Sequence, residues 1–253
     1  MSSEPSSLER LLRRDRQMVF VALMSVVAFA SLYTILDVGM NMNLSEMSYM
    51  PGVGYIYVLL AMWWVMMVAM MLPSATPIIL LTAALNRRST SVQPPYGATA
   101  FFTVGYLLAW FLFSLVAVAS QLILESNGLL SFKMESNSTY LTAGLLLAAG
   151  FWQFSPIKQA CLRHCRSPVE FITRHRRPGN RGALMMGLHH GTYCLGCCWF
   201  LMALLFAGGV MNLYWIAGLA LFVVVEKLYS HGVWFGRVTG AGFVITGITL
   251  LVL

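Results

Sequence analysis

A chain of 253 residues that is 58% hydrophobic and 10% charged has more apolar surface than one soluble core can hide. The net charge of +7 is spread through the connections between long apolar runs, so it does not read as a nucleic-acid-binding face. Those runs are long enough to cross a bilayer, which takes about 20 helical residues. A backbone in lipid must bond itself as helices or a closed barrel, and these runs do not alternate as barrel strands do. The fold class read from the sequence is all-α: a polytopic transmembrane helix bundle of seven spans.

In chain order, residues 1–16 read as a basic cytoplasmic N-terminal segment before a single membrane domain over 17–253. Spans are predicted at about 17–37, 55–83, 98–123, 139–157, 183–207, 211–227 and 234–253. The first begins like a cleavable leader, with four arginines, an apolar run and "AFA" (Ala28 to Ala30). The apolar run continues to Leu36, which favours a retained anchor. The outer loop that follows, "MNMNLSEMSYM" (Met40 to Met50), is rich in methionine and has no cysteine. Span two is too long for one straight crossing, and Pro73 and Pro77 are expected to break or kink it. Its stretch "MWWVMMVAMMLPS" spaces Met62, Met66 and Met70 four apart, with Met67 and Met71 as a second row. Methionine also fills irregular cores, so this stripe alone fits packing equally well.

Span four leads into "CLRHC", which puts Cys161 and Cys165 four apart on an expected helical extension, with His164 facing partly away. Two thiols at this spacing suit two-coordinate copper(I), half of a zinc site, or interfacial packing. The cytoplasmic connection of about 158–182 is basic and suits anionic lipid heads. Span five contains "HHGTYCLGCCW", His189 to Trp199, with two histidines and three of the five cysteines. Glu226 and Lys227 close span six and read as an interfacial charge pair.

Charge sets the orientation. With seven spans, fifteen of the sixteen Lys and Arg fall on the side of the N-terminus, and Lys133 falls on the other. That asymmetry places the N-terminus in the cytoplasm and the C-terminus outside. All five cysteines then lie in the cytoplasmic loop or the span after it, which argues against an extracellular disulfide scaffold.

The chemistry concentrates in span five. Residues three, four and seven apart share a helix face, so His190, Cys194 and Cys197 align, with Cys198 beside them and Met186 and Met202 extending the row. His189 is the neighbouring candidate. Thiolate and thioether suit copper(I), and thiolate with imidazole also suits zinc. Ionisable groups inside a span are costly and point to function. Met66 lies about 11 residues from the outer end of its span and Cys194 about 11 from the inner end of its own, so both sit roughly 16–17 Å deep. Spans two and five are thus expected to share one site, with Met66 and Met70 facing the cysteines. Gly187 and Gly191 bracket the histidines as close-packing positions.

Enzyme templates fit poorly: there is no nucleophile elbow, P-loop or "HExxH", and acids are too sparse for a di-iron site. The leading reading is a soft-metal protein, copper(I) before zinc, that handles, delivers or transfers the ion with a donor or acceptor protein. A metal-dependent membrane oxidoreductase remains open, with Trp63, Trp64, Trp152, Gln153, Tyr193 and Trp199 as pocket groups. So does an assembly partner whose thiols only pack.

Five motifs carry a family resemblance: "WWVMMVAMMLPSATP" (Trp63 to Pro77), "GYLLAW" (Gly105 to Trp110), "AGFWQFSPIKQACLRHCRSP" (Ala149 to Pro168), "GLHHGTYCLGCCW" (Gly187 to Trp199) and "GGVMNLYWIAGLALFVVVEK" (Gly208 to Lys227). With these the chain resembles a bacterial family of predicted metal-binding integral membrane proteins, sometimes labelled copper chaperones. The resemblance implies that the Cys, His and Met cluster is functional.

Overall fold

The computed structural model describes residues 52–88, 95–131, 134–175, 177–229 and 231–253, with Ala28 and Leu32 besides. The basic segment 1–16, the rest of the first predicted span and the methionine-rich stretch Met40 to Met50 lie outside the described residues. The described elements are helices: α1 Gly52–Arg88, α2 Pro95–Ser126, α3 Thr139–Phe154, α4 Pro156–Arg166, α5 Pro168–His175, α6 Gly179–Ala203, α7 Leu205–Gly208, α8 Leu213–Leu228 and α9 Gly232–Val252.

Among the described residues four stretches are long and apolar enough to cross a membrane: Gly52–Asn86, Gly97–Ser126, Gly179–Gly208 and Gly232–Val252. The predicted fourth and sixth spans are helical too, but α3 and α8 have 16 residues each. At 1.5 Å per residue each is about 24 Å long, short of a ~30 Å hydrocarbon core.

Three boundaries differ from the sequence reading, each for a local reason. α1 runs unbroken through Pro73 and Pro77. Buried neighbours hold it, and the Ser74 and Thr76 hydroxyls bond the carbonyls of Met71 and Leu72 at 2.8 and 3.1 Å. Span four stops at Phe154. Ser155 caps both sides of the break: its N–H bonds the Trp152 carbonyl at 3.0 Å, and its hydroxyl accepts from the Ile157 N–H at 3.2 Å. Pro156 then opens α4 at a position where a backbone donor is dispensable. "CLRHC" therefore lies on a separate amphipathic helix and not on an extension of span four. Span five breaks at Leu204, and the single turn α7 ends at Gly209, whose φ of +92° suits glycine. Here the 127–138 connection meets the end of α7, with Ser136 N–H on the Phe206 carbonyl and Val210 N–H on the Met134 carbonyl.

α2 packs most extensively on α6, α3 packs on α9, and α1 packs on α2. α4 lies against α6. The α2–α6 approach depends on glycine. A Cβ at Gly187 would strike the Phe102 carbonyl, and one at Gly191 would stand 2.5 Å from the Ala109 Cβ. The bracketing glycines of "GLHHG" thus bring α2 onto the histidine face.

Candidate metal centre

α6 buries one face: Met186, Gly187, His190, Gly191, Cys194, Cys197, Cys198 and Met202. The helical period accounts for the set. His189, one residue round, is exposed, with its ring edge-on to His175 at 5.8 Å.

Cys194 is the hub. Its sulfur lies 3.1 Å from the Tyr106 hydroxyl of α2 and 3.0 Å from the Lys227 ammonium of α8. The same hydroxyl donates to the Met71 carbonyl at 3.1 Å, and the same ammonium donates to the Ser74 hydroxyl at 3.2 Å. Three helices therefore meet at one sulfur, and α1 is tied to it through Tyr106 and Lys227. The Cys197 and Cys198 thiols donate back to the Cys194 carbonyl at 3.0 and 2.9 Å, the local bonding that short polar side chains make within helices.

Cys165 joins this group from α4. It packs partly buried against the cluster that holds the α6 cysteines, and the neighbouring Cys194 and Cys197, with burial adding, hold its thiol well above the usual thiol range. Cys161 also faces α6: a Cβ at Gly196 would stand 2.8 Å from its sulfur. Burial and then the nearby Cys197 push the Cys161 thiol up. The two cysteine motifs, roughly thirty positions apart in sequence, converge on one cluster. "CLRHC" does not form a separate station at the cytoplasmic surface.

His190 is 3% exposed. Its ring sits among Phe102, Tyr106 and Phe171 at 6.1, 5.9 and 5.1 Å. Among the described residues its Nδ1 is buried without a hydrogen-bond partner. Leaving such a group unpaired costs about 1–3 kcal/mol. His164 is differently placed: it stacks on Tyr193 at 4.2 Å, and its Nδ1 bonds the Ala160 carbonyl. A cavity of about 400 Å³ lies here, lined by Arg163, His164, Ser167, Glu170, Phe171 and Arg174. Phe171 touches both this cavity and His190.

Met66 and Met70 are buried in the same apolar cluster as the three α6 cysteines. The hydrogen-bonded links from α1 to Cys194 enter at Met71 and Ser74 instead. That level lies about 7 Å or more of helix rise beyond Met66. Of the proposed pocket aromatics, Trp152 and Trp199 pack edge-on at 5.7 Å, and the others make contacts elsewhere. Trp63 donates to Gln121 at 2.7 Å, Trp152 donates to the Gly196 carbonyl at 3.3 Å, and Trp64 packs on Phe111.

The expected Glu226–Lys227 pair does not form. Adjacent helical residues point about 100° apart, so each meets a different helix. Glu226 binds Lys158 of α4 at 2.8 Å, and Lys158 also bonds Gln153. Lys227 turns to Cys194. Lys158 and Lys227 are 1% and 5% exposed, so two of the fifteen cations counted for orientation are buried, partnered groups and not surface charges. Tyr106, Ser74, Lys158 and Lys227 are the site-region residues that the sequence reading missed. The adjacency of Glu226 and Lys227 was the available signal, since neighbours on a helix cannot pair face to face.

The donors are soft: four thiols within reach of one another and a histidine nitrogen left without a partner. Among the described residues, no three His, Cys, Asp or Glu side chains already form a metal cage. Cys197 and Cys198 are turned onto a carbonyl, and rotation about one bond each would free them.

The fold and site define an all-helical protein with membrane-length helices and a buried thiol cluster at a helix junction. The chain belongs to the copper chaperone family PpoB2, whose model matches residues 60–250 and so includes all five cysteines. Membership assigns the chain to copper handling, with the metal ion as its partner. No curated protein and no solved structure matches the chain.

Proposed function

We propose that this protein is a multi-pass copper(I) carrier of the bacterial inner membrane. The basic connections put the N-terminus in the cytoplasm and the C-terminus outside. Copper(I) is its cargo, held by Cys194, Cys197 and Cys198 of α6 with Cys165 of α4, and with His190 as the adjoining nitrogen donor. Cys161 stands next to this set, Met66 and Met70 supply thioethers toward the outer half, and zinc is the competing ion. His164 and the cavity beside it form the cytoplasmic-side point where a donor or acceptor protein exchanges the ion.

The observation that carries the reading is the convergence of Cys165 with the α6 thiols. Packing cysteines have no reason to gather from two motifs around one sulfur, whereas a soft ion needs several thiols from different directions. The donors also match copper(I), which accepts two or three sulfurs without demanding a rigid four-point cage. The capture step needs Cys197 and Cys198 to leave the Cys194 carbonyl.

The test is metal analysis of anaerobically purified protein beside the Cys194→Ser, Cys197→Ser, Cys198→Ser triple variant. Copper in the wild type and its loss from the variant is the expected result. Equal copper in both proteins would remove the α6 thiols from the site.

A further inference from the structure

We propose that Lys227 is a charge filter, which makes the thiol cluster accept a soft monovalent ion in preference to a soft divalent one. This rests on the copper(I)-binding reading above. The Lys227 Nζ is fixed by two contacts, Cys194 Sγ at 3.0 Å and Ser74 Oγ at 3.2 Å, and the residue is 5% exposed. Among the described residues no ion pair joins it to a carboxylate, because the adjacent Glu226 points about 100° round α8 and is committed to Lys158 of α4. Any ion bound to Cys194 would therefore stand within a few ångströms of a fixed positive charge, buried where solvent and salt screen weakly.

Repulsion between like charges scales with the product of the charges over the distance. A divalent ion on the same sulfur meets twice the repulsion of a monovalent one. The thiol donors do not separate soft ions of different charge by themselves, since silver(I), copper(I) and cadmium(II) all favour sulfur. Lys227 adds the missing discrimination. Its neighbours oppose escape: Ser74 holds the ammonium from α1, and Tyr106 occupies another side of the sulfur.

The test uses the anaerobically purified full chain with silver(I) and cadmium(II), two soft ions that differ in charge. Competition titration reads their affinity ratio, and cadmium–thiolate absorption reports site occupancy. Lys227→Leu should shift the ratio toward cadmium by about tenfold or more, the scale of one close charge interaction. Lys227→Arg keeps the charge and should keep the ratio within about threefold of wild type. Lys227→Gln serves as a second neutral variant should Lys227→Leu fail to fold. A ratio unchanged in the neutral variants, or equal weakening of both ions, would overturn the filter and leave Lys227 as a holder of the sulfur. Binding of both ions that survives the triple serine change would instead overturn the site on which the filter depends.

Discussion

Two lysines are buried, Lys158 of α4 and Lys227 of α8, and they have different partners. Lys158 is 1% exposed and meets a carboxylate, Glu226, with Gln153 beside it. Lys227 is 5% exposed and meets a sulfur and a hydroxyl. The first arrangement compensates a buried charge within the fold, and it ties α4 to α8 next to the packing of α3 on α9. The second leaves a positive charge facing a soft ligand. Burial of a cation alone does not separate architecture from function, but the chemistry of its partner does. A carboxylate completes the lysine, whereas a thiol can also take a metal.

The comparison can be broken by changes around either lysine. The largest expected effect is structural. Glu226→Gln leaves Lys158 buried without its counter-charge and should cost about 3–5 kcal/mol, read as unfolding in detergent. Its effect on copper affinity, measured on the protein that remains folded, should be small. Next comes the thiol side. Cys165→Ser should lower copper(I) affinity at least as much as loss of an outer-shell partner does, about 10–100-fold, with unfolding little changed. Chelator competition reads that loss.

A smaller effect is expected from Met66→Leu with Met70→Leu. The swap keeps volume, so stability should fall by less than about 1.5 kcal/mol. If the thioethers serve the ion, copper retention falls by less than in Cys165→Ser. Retention equal to wild type would confine the two methionines to packing. The smallest effect belongs to His189→Gln. That ring is exposed against His175, so stability should stay within about ±0.5 kcal/mol and copper content should not change. A loss comparable to that of Cys165→Ser would mean that α6 presents a different face to the ion.

Much of this site was legible because it lies on one helix. The period of α6 sorts His190, Cys194, Cys197 and Cys198 from His189, and the glycines that admit α2 sit among them. What crosses between helices was not legible. Nothing in "CLRHC" says that Ser155 and Pro156 end one helix and start another, which lays α4 against α6 and brings Cys165 to Cys194. Depth counting placed Met66 level with Cys194, yet the bonded link falls at Met71 and Ser74, because helix counting ignores tilt and the length of the Tyr106 and Lys227 side chains. Composition made the bundle evident. It could not show that α3 and α8 have 16 residues each, since short helices at capped breaks look the same as spans in a hydropathy profile.

The central claim is that Cys165 and the α6 cysteines hold one copper(I) ion together. X-ray absorption on the anaerobically loaded full chain tests it most directly. The account predicts one copper(I) per chain in a sulfur-dominated shell that loses a sulfur in Cys165→Ser. A shell of nitrogen and oxygen, or a sulfur shell identical in Cys165→Ser, would contradict it.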